Sequence, residues 1–205
     1  MLAKKISYYF LAICCIAIGL YPTIYFVIDR KFGLLASKSE TLLADTIWNS
    51  MFYTHIVLGG VALLIGWLQF HKKLRLKNLQ LHKKIGKVYV ISCLLSGASG
   101  FYIALYATGG LSPKLGFTSM AIVWFCTTFF GFTAIKKGDI IKHQKLMIYS
   151  YAACFSAVTL RIWLPIFSSI LGGFLPAYRI VAWLSWVPNI IVAYYICKYQ
   201  FKTTN

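Results

Sequence analysis

The sequence predicts an all-α fold, a polytopic membrane bundle of about six transmembrane helices with both chain ends on the cytoplasmic side, and three observations predict it. Of the 205 residues, 60% are hydrophobic and only 12% are charged, against about 25% charged in an ordinary soluble domain. The apolar residues fall into stretches of about 20, the length a helix needs to cross a hydrocarbon core about 30 Å thick. The basic residues crowd the loops on one side, where Lys and Arg are retained during insertion. A mean hydropathy of +0.72 also excludes intrinsic disorder, because disordered chains are poor in apolar side chains.

In chain order the spans run from Ile6 to Ile28, Ser50 to Phe70, Gly86 to Ala107, Gly116 to Ile135, Lys145 to Phe167 and Tyr178 to Cys197. Together they make one integral membrane domain over residues 1–205. The first span follows Lys4 and Lys5, as a signal peptide would, but its apolar run is too long and no small-residue cleavage motif follows closely. It reads as a membrane anchor. Pro22, Pro165 and Pro188 mark kinks or helix ends, since proline cannot continue the helical ladder. The glycine pairs at 59–60, 109–110 and 172–173 have no strand before them and are not phosphate loops.

Twenty-one Lys and Arg against four acids give a net charge of +17, which in a soluble protein would point to nucleic acid. Here position accounts for it. One loop carries the basic run Lys72 to Lys87, another carries Lys136, Lys137, Lys142 and Lys145, and Lys4, Lys5, Lys198 and Lys202 flank the ends on the same side. Three of the acids, Asp29, Glu40 and Asp45, lie in the long loop opposite. The basic side fits anionic lipid at a cytoplasmic surface, with no nucleic-acid partner. Six cysteines, all in apolar stretches and none in a CxxC pair, read as small buried hydrophobes.

Two basic loops enter their helices alike: Asn78-Leu-Gln-Leu-His82 and Asp139-Ile-Ile-Lys-His143. Asn and Asp are good N-caps, so both helices start before the membrane and each His sits one turn in, at matched depth. That level pair is what a bis-histidine b-type haem needs, with Lys83 and Lys145 placed to neutralise propionates. The alternative is a pair of interfacial histidines touching water or lipid phosphate. A zinc site using His71, His82, His143 or Asp139 is also open, although no ligand spacing marks it. His82 shares a helix face with Gly86, Tyr89, Cys93, Ser96 and Gly100, a surface suited either to close helix packing or to a flat ligand.

His55 and Arg161 form a second constellation near the opposite side, with His55 about 8 Å inside that boundary. An Arg inside a span costs a few kcal/mol and normally faces a partner, a cavity or headgroups. The functional reading is an outward-facing pocket for an anionic group, a quinone oxygen or a carboxylate. The alternative is that Arg161 snorkels outward or pairs with Asp45. Asn189 and Gln69 read as interhelical hydrogen-bond formers. Carboxylates are nearly absent from the spans, so Ser-His-Asp and paired-carboxylate chemistry are set aside.

The string His55, Gly60, Gly66, Gln69-Phe70, Leu74-Arg75, His82, Gly86, Tyr89, Ser96-Gly97, Gly109-Gly110, Gly116-Phe117, Trp124, Gly138-Asp139, His143, Met147, Ser150-Tyr151-Ala152 and Thr159-Leu160-Arg161 resembles the predicted membrane proteins grouped as domain of unknown function 2306. The likeness covers about residues 50–167. It implies an all-helical bacterial membrane protein and brings no reaction, cofactor or catalytic assignment. The motif His143-Gln-Lys-Leu-Met147 departs from the His-Arg-x-Trp-Met that the resemblance leads one to expect, so no aromatic wall beside His143 is implied by it. Three readings follow: a haem or quinone-linked redox protein built on His82 and His143, a small-solute transporter or binding protein built on His55 and Arg161, or a non-catalytic membrane assembly partner. A bacterial cytoplasmic membrane is the expected location.

Overall fold

The computed structural model describes residues 2–28 and 33–202, with side chains for residues 9–28 and 33–202. Asp29, Arg30 and Lys31, and the side chains of Lys4 and Lys5, lie outside the described residues. Helix α1 (Leu2–Leu20) passes through a 3-10 turn at Tyr21–Thr23 into the single-turn α2 (Ile24–Val27). Pro22 in that turn lacks an N–H, so the regular ladder breaks where the sequence predicts a kink. A 3-10 turn at Gly33–Ser37 and the short α3 (Glu40–Ala44) form a cap over one end of the bundle. Then α4 (Thr46–Gly66) descends to the other end, and α5 (Lys72–Lys77) leads into α6 (Leu79–Ala104). Helix α7 (Leu111–Lys136) returns, followed by α8 (Ile140–Cys154) with α9 (Ser156–Ile170), and by α10 (Phe174–Leu184) with α11 (Val187–Gln200).

Among the described residues, six stretches are long and apolar enough to cross a membrane: Tyr9–Val27, Thr46–Phe70, Leu79–Ala104, Leu111–Lys136, Ile140–Ile170 and Phe174–Gln200. The protein is a multi-pass, all-helical membrane protein. The helices outrun the apolar segments because polar caps start them early. Asp45 accepts from the N–H groups of Ile47 and Trp48 at 2.8 and 3.0 Å, so α4 begins at Thr46 rather than at Ser50. Asn78 accepts from Leu81 N and Asp139 from Lys142 N, both at 2.9 Å, as the repeated loop motif predicts.

Proline placement is only part of the story. Pro188 opens α11 as expected, but Pro165 lies inside α9 without ending it. Membrane helices tolerate such a proline when neighbouring groups satisfy the freed backbone. The fifth span breaks instead at Phe155, where the N–H of Val158 bonds to the Phe155 carbonyl at 2.9 Å and tightens one turn.

Close approach between helices sets the packing. A Cβ on Gly60 would lie 2.6 Å from the Gly19 carbonyl oxygen, so α1 and α4 touch backbone to backbone. A Cβ on Gly116 would meet the Ala182 carbonyl oxygen at 2.9 Å, which seats α10 on α7. Small residues do this in lipid because dispersion, rather than water exclusion, holds the helices together. The buried centre gathers Leu63, Tyr89, Cys93, Trp124 and Val158. A second cluster of Leu35, Leu43, Trp48 and Phe52 fixes the cap to α4. Outward-facing residues such as Ile170, Leu111 and Tyr199 are apolar and exposed, as a lipid-facing surface requires. All six cysteines are free.

Polar groups inside the bundle are mostly paired. The Ser150 hydroxyl sits 2.9 Å from the Tyr89 hydroxyl and 2.7 Å from that of Thr128, which donates on to the Trp124 carbonyl at 2.8 Å. Asn189 links helices as expected, donating to the Ala152 carbonyl, the Thr159 hydroxyl and the Ser185 carbonyl. Gln69 does not follow that pattern: its Nε2 is shielded and has no hydrogen-bond partner.

Candidate functional site

His55 lies nine residues along α4 from Thr46, about 14 Å from the helix start at about 1.5 Å per residue. The helix starts before the apolar run because Asp45 caps it. Its Nδ1 is 2.8 Å from the Ser96 carbonyl oxygen on α6. A carbonyl only accepts, so Nδ1 carries the hydrogen, and in the neutral ring Nε2 is then a lone pair. The Ser96 hydroxyl returns the bond by donating to the His55 carbonyl at 2.8 Å. One helical turn on, a Cβ at Gly100 would lie 2.7 Å from His55 Nδ1. The Ser96–Gly100 part of the small-residue face is therefore filled by an imidazole and holds no flat ligand.

Arg161 lies nine residues before the end of α9 at Ile170, so it reaches the same depth from the same end of the bundle. Its guanidinium carbon stands 4.3 Å from the centre of the Tyr21 ring, a cation–π contact that offsets part of the desolvation of the charge. Nη1 donates to the Ala157 carbonyl at 2.9 Å, while Nε is shielded and unpartnered. Among the described residues no carboxylate pairs with it. Asp45, the acid considered for that role, is engaged at the start of α4.

Between these groups lies a cavity of about 70 Å³ lined by Pro22, His55, Gly59, Gly60, Ala157 and Arg161, among others. A single water needs roughly 10–15 Å³ on this measure, so the space suits a few waters or a headgroup of a few heavy atoms. Apolar walls with one base and one cation match the usual make-up of a small-ligand site. The cap lies over this region. A Cβ on Gly33 would be 3.3 Å from the Tyr25 hydroxyl, and Tyr25 is an electrostatic neighbour of Arg161. Lys38 ties the cap down by donating to the Tyr106 carbonyl at 2.6 Å and the Thr108 hydroxyl at 3.0 Å. Partial burial, with Lys114 nearby, pulls the Lys38 ammonium down to about 8.

His82 and His143 are each the fourth residue of their helices, at the lysine-rich end. His143 Nδ1 donates to the Gly131 carbonyl at 2.8 Å, which leaves its Nε2 lone pair free in the neutral ring. His82 Nδ1 is shielded and unpartnered, and its electrostatic neighbours are Arg75, His143 and Lys83. The Nζ of Lys145 lies 5.4 Å from the centre of the Phe201 ring. No group of three or more His, Cys, Asp or Glu side chains among the described residues is arranged to hold a metal ion.

Residues 52–197 match the model of a protein family described as predicted membrane protein (DUF2306). The chain belongs to this family. The DUF2306 match takes in His55, His82, His143 and Arg161, and it runs past residue 167, where the sequence resemblance stops, into the last span. Membrane location is what the family description supplies. No curated protein and no solved structure matches the chain.

Sequence reasoning found both polar ends of this site but missed Tyr21 and the role of Ser96. Tyr21 carries no local mark of function. Its position beside the Pro22 break, level with Arg161, becomes meaningful only when α1 and α9 are brought together.

Proposed function

We propose that this protein binds a small solute bearing an anionic or strongly accepting oxygen, inside the membrane, in the cavity between His55 and Arg161, as a binding protein or transporter. One observation carries the reading: a guanidinium held by Tyr21 and Ala157 borders the cavity with its Nε unpartnered and no described carboxylate beside it. A preformed donor with unused bonding capacity favours an incoming oxygen acceptor, because an unpaired buried donor is costly. The lysine-rich loops set the orientation, with both chain ends cytoplasmic and the site opening outward in a bacterial cytoplasmic membrane. Anionic lipid then lies against those loops. The test is thermal unfolding of the purified protein against acetate, phosphate and chloride. At least one anion should raise the midpoint with saturation, and Arg161→Met should abolish the rise. No stabilisation by any of the three defeats the proposal.

A second reading has its own support. A histidine whose Nδ1 is held by a backbone carbonyl is oriented as metal-ligating histidines are, and His143 has that bond, with His82 as a close neighbour. A b-type haem held by His82 and His143, with a quinone or other redox partner, follows from this pair. An absorption spectrum decides it: a Soret band lost in both His82→Ala and His143→Ala supports the haem, and absence of the band from haem-replete membranes ends it.

A further inference from the structure

The His55–Arg161 cavity offers two unlike groups to one ligand. Arg161 can only donate. His55 lines the cavity and has its Nδ1 donor already committed to the Ser96 carbonyl at 2.8 Å, so in a neutral ring the remaining nitrogen, Nε2, is an acceptor. A bare carboxylate or halide would satisfy the guanidinium but set its lone pairs against the lone pair of Nε2. A carboxyl group carrying its proton removes that conflict, since O–H can donate to Nε2 while the other oxygen accepts from Arg161. The cavity, about 70 Å³, takes a carboxyl and a short chain.

Resting on the binding function proposed above, we infer that the solute is a small monocarboxylic acid taken up together with one proton. In water at neutral pH the acid is ionised, so binding consumes one carboxylate and one proton from solution. The hydrogen ends between a carboxyl oxygen and His55 Nε2. No covalent bond is made or broken apart from that O–H or N–H. Among the described residues, the groups around this pair include no carboxyl that competes for the proton. From α6 there are Ser96 and Gly100, from α9 Arg161, and from the 21–27 segment Tyr21 and Tyr25, the electrostatic neighbours of Arg161.

Calorimetric titration with acetate at pH 7, run in two buffers of different ionisation heat, reads the proton directly. Uptake of about one proton per acetate is expected, and chloride should displace acetate at least tenfold more weakly than propionate does. His55→Gln should bring the uptake near zero, whereas Ser96→Ala removes only the hydroxyl, keeps the backbone carbonyl that accepts from Nδ1, and should retain the uptake. Acetate binding without proton uptake in the natural protein, full uptake in the folded His55→Gln protein, or displacement by chloride as strong as by propionate would overturn the inference while leaving an anion site in place. Absence of binding by every anion would instead remove the site itself.

Discussion

Gly100→Ala tests the geometry on which the site depends, the seating of the His55 ring on α6. A methyl group there would lie 2.7 Å from Nδ1 and 2.9 Å from Cε1 of His55, closer than real contacts allow, so the ring must move. Movement lengthens the 2.8 Å bond to Ser96. Overpacking of this kind costs about 1–3 kcal/mol, and weakening a hydrogen bond adds about 0.5–1.5 kcal/mol. Against this, Ala in a helix interior recovers about 0.5–1 kcal/mol relative to Gly. The net expectation is a loss of about 1–3 kcal/mol on the same reasoning, accompanied by weaker anion binding. Gly97→Ala is the internal control, since its Cβ would meet Phe125 at 3.4 Å, an ordinary contact. It should be neutral or slightly stabilising. The assay is reversible unfolding in mixed micelles with anion titration of both variants. If Gly100→Ala is as stable as Gly97→Ala and binds anions normally, the packing of His55 described above is wrong.

Other expectations follow from the same structure. Ser150→Ala removes the hydroxyl between Tyr89 and Thr128 and should cost about 1–2 kcal/mol, since membrane hydrogen bonds average about 0.6 kcal/mol each and an unpaired hydroxyl adds to the loss; unfolding measurements check it. The Lys38 ammonium falls from 10.5 in its ordinary state to about 8 in the folded protein. Between those values the unfolded chain binds the proton and the folded one releases it, so stability should rise with pH through that window. Lys38→Met should lose that rise in unfolding midpoints recorded from pH 7 to 10.5. Asp139→Ala and Asn78→Ala each remove a helix cap and should cost about 1 kcal/mol, with faster amide exchange at Lys142 and Leu81 respectively. Cysteines introduced next to Lys83 and Lys137 should resist a membrane-impermeant thiol reagent in intact cells, and labelling there would reverse the proposed orientation.

The parts of the fold that were legible in the sequence are those whose causes are local. Asn78 and Asp139 announce their helices because a cap needs only its own side chain and the next three residues. The spans are legible because lipid demands an unbroken apolar run. The break at Phe155 is not, because no proline or glycine marks it and only packing between neighbouring helices decides where the turn tightens. The same division runs through the site. His55 and Arg161 stand out as polar residues in apolar spans, and the small-residue face that runs through Ser96 and Gly100 was visible as a periodic pattern. That one face receives the ring of His55, and that Arg161 finds the ring of Tyr21, depends on contacts between residues 41 positions apart in the first case and far apart in the second. Charge pattern alone offered Asp45 as a partner for Arg161, but a helix start claims that carboxylate first.

The most direct measurement is a solid-state NMR distance between the carboxyl carbon of ¹³C-acetate and the ¹⁵N-labelled guanidinium of the protein in lipid, with Arg161→Lys as the assignment control. A bound acid seated in the cavity should show dipolar dephasing for a contact within about 4 Å, absent from the control. Acetate that binds with no such dephasing, or dephasing that survives the Arg161 change, would place the ligand elsewhere and contradict the account.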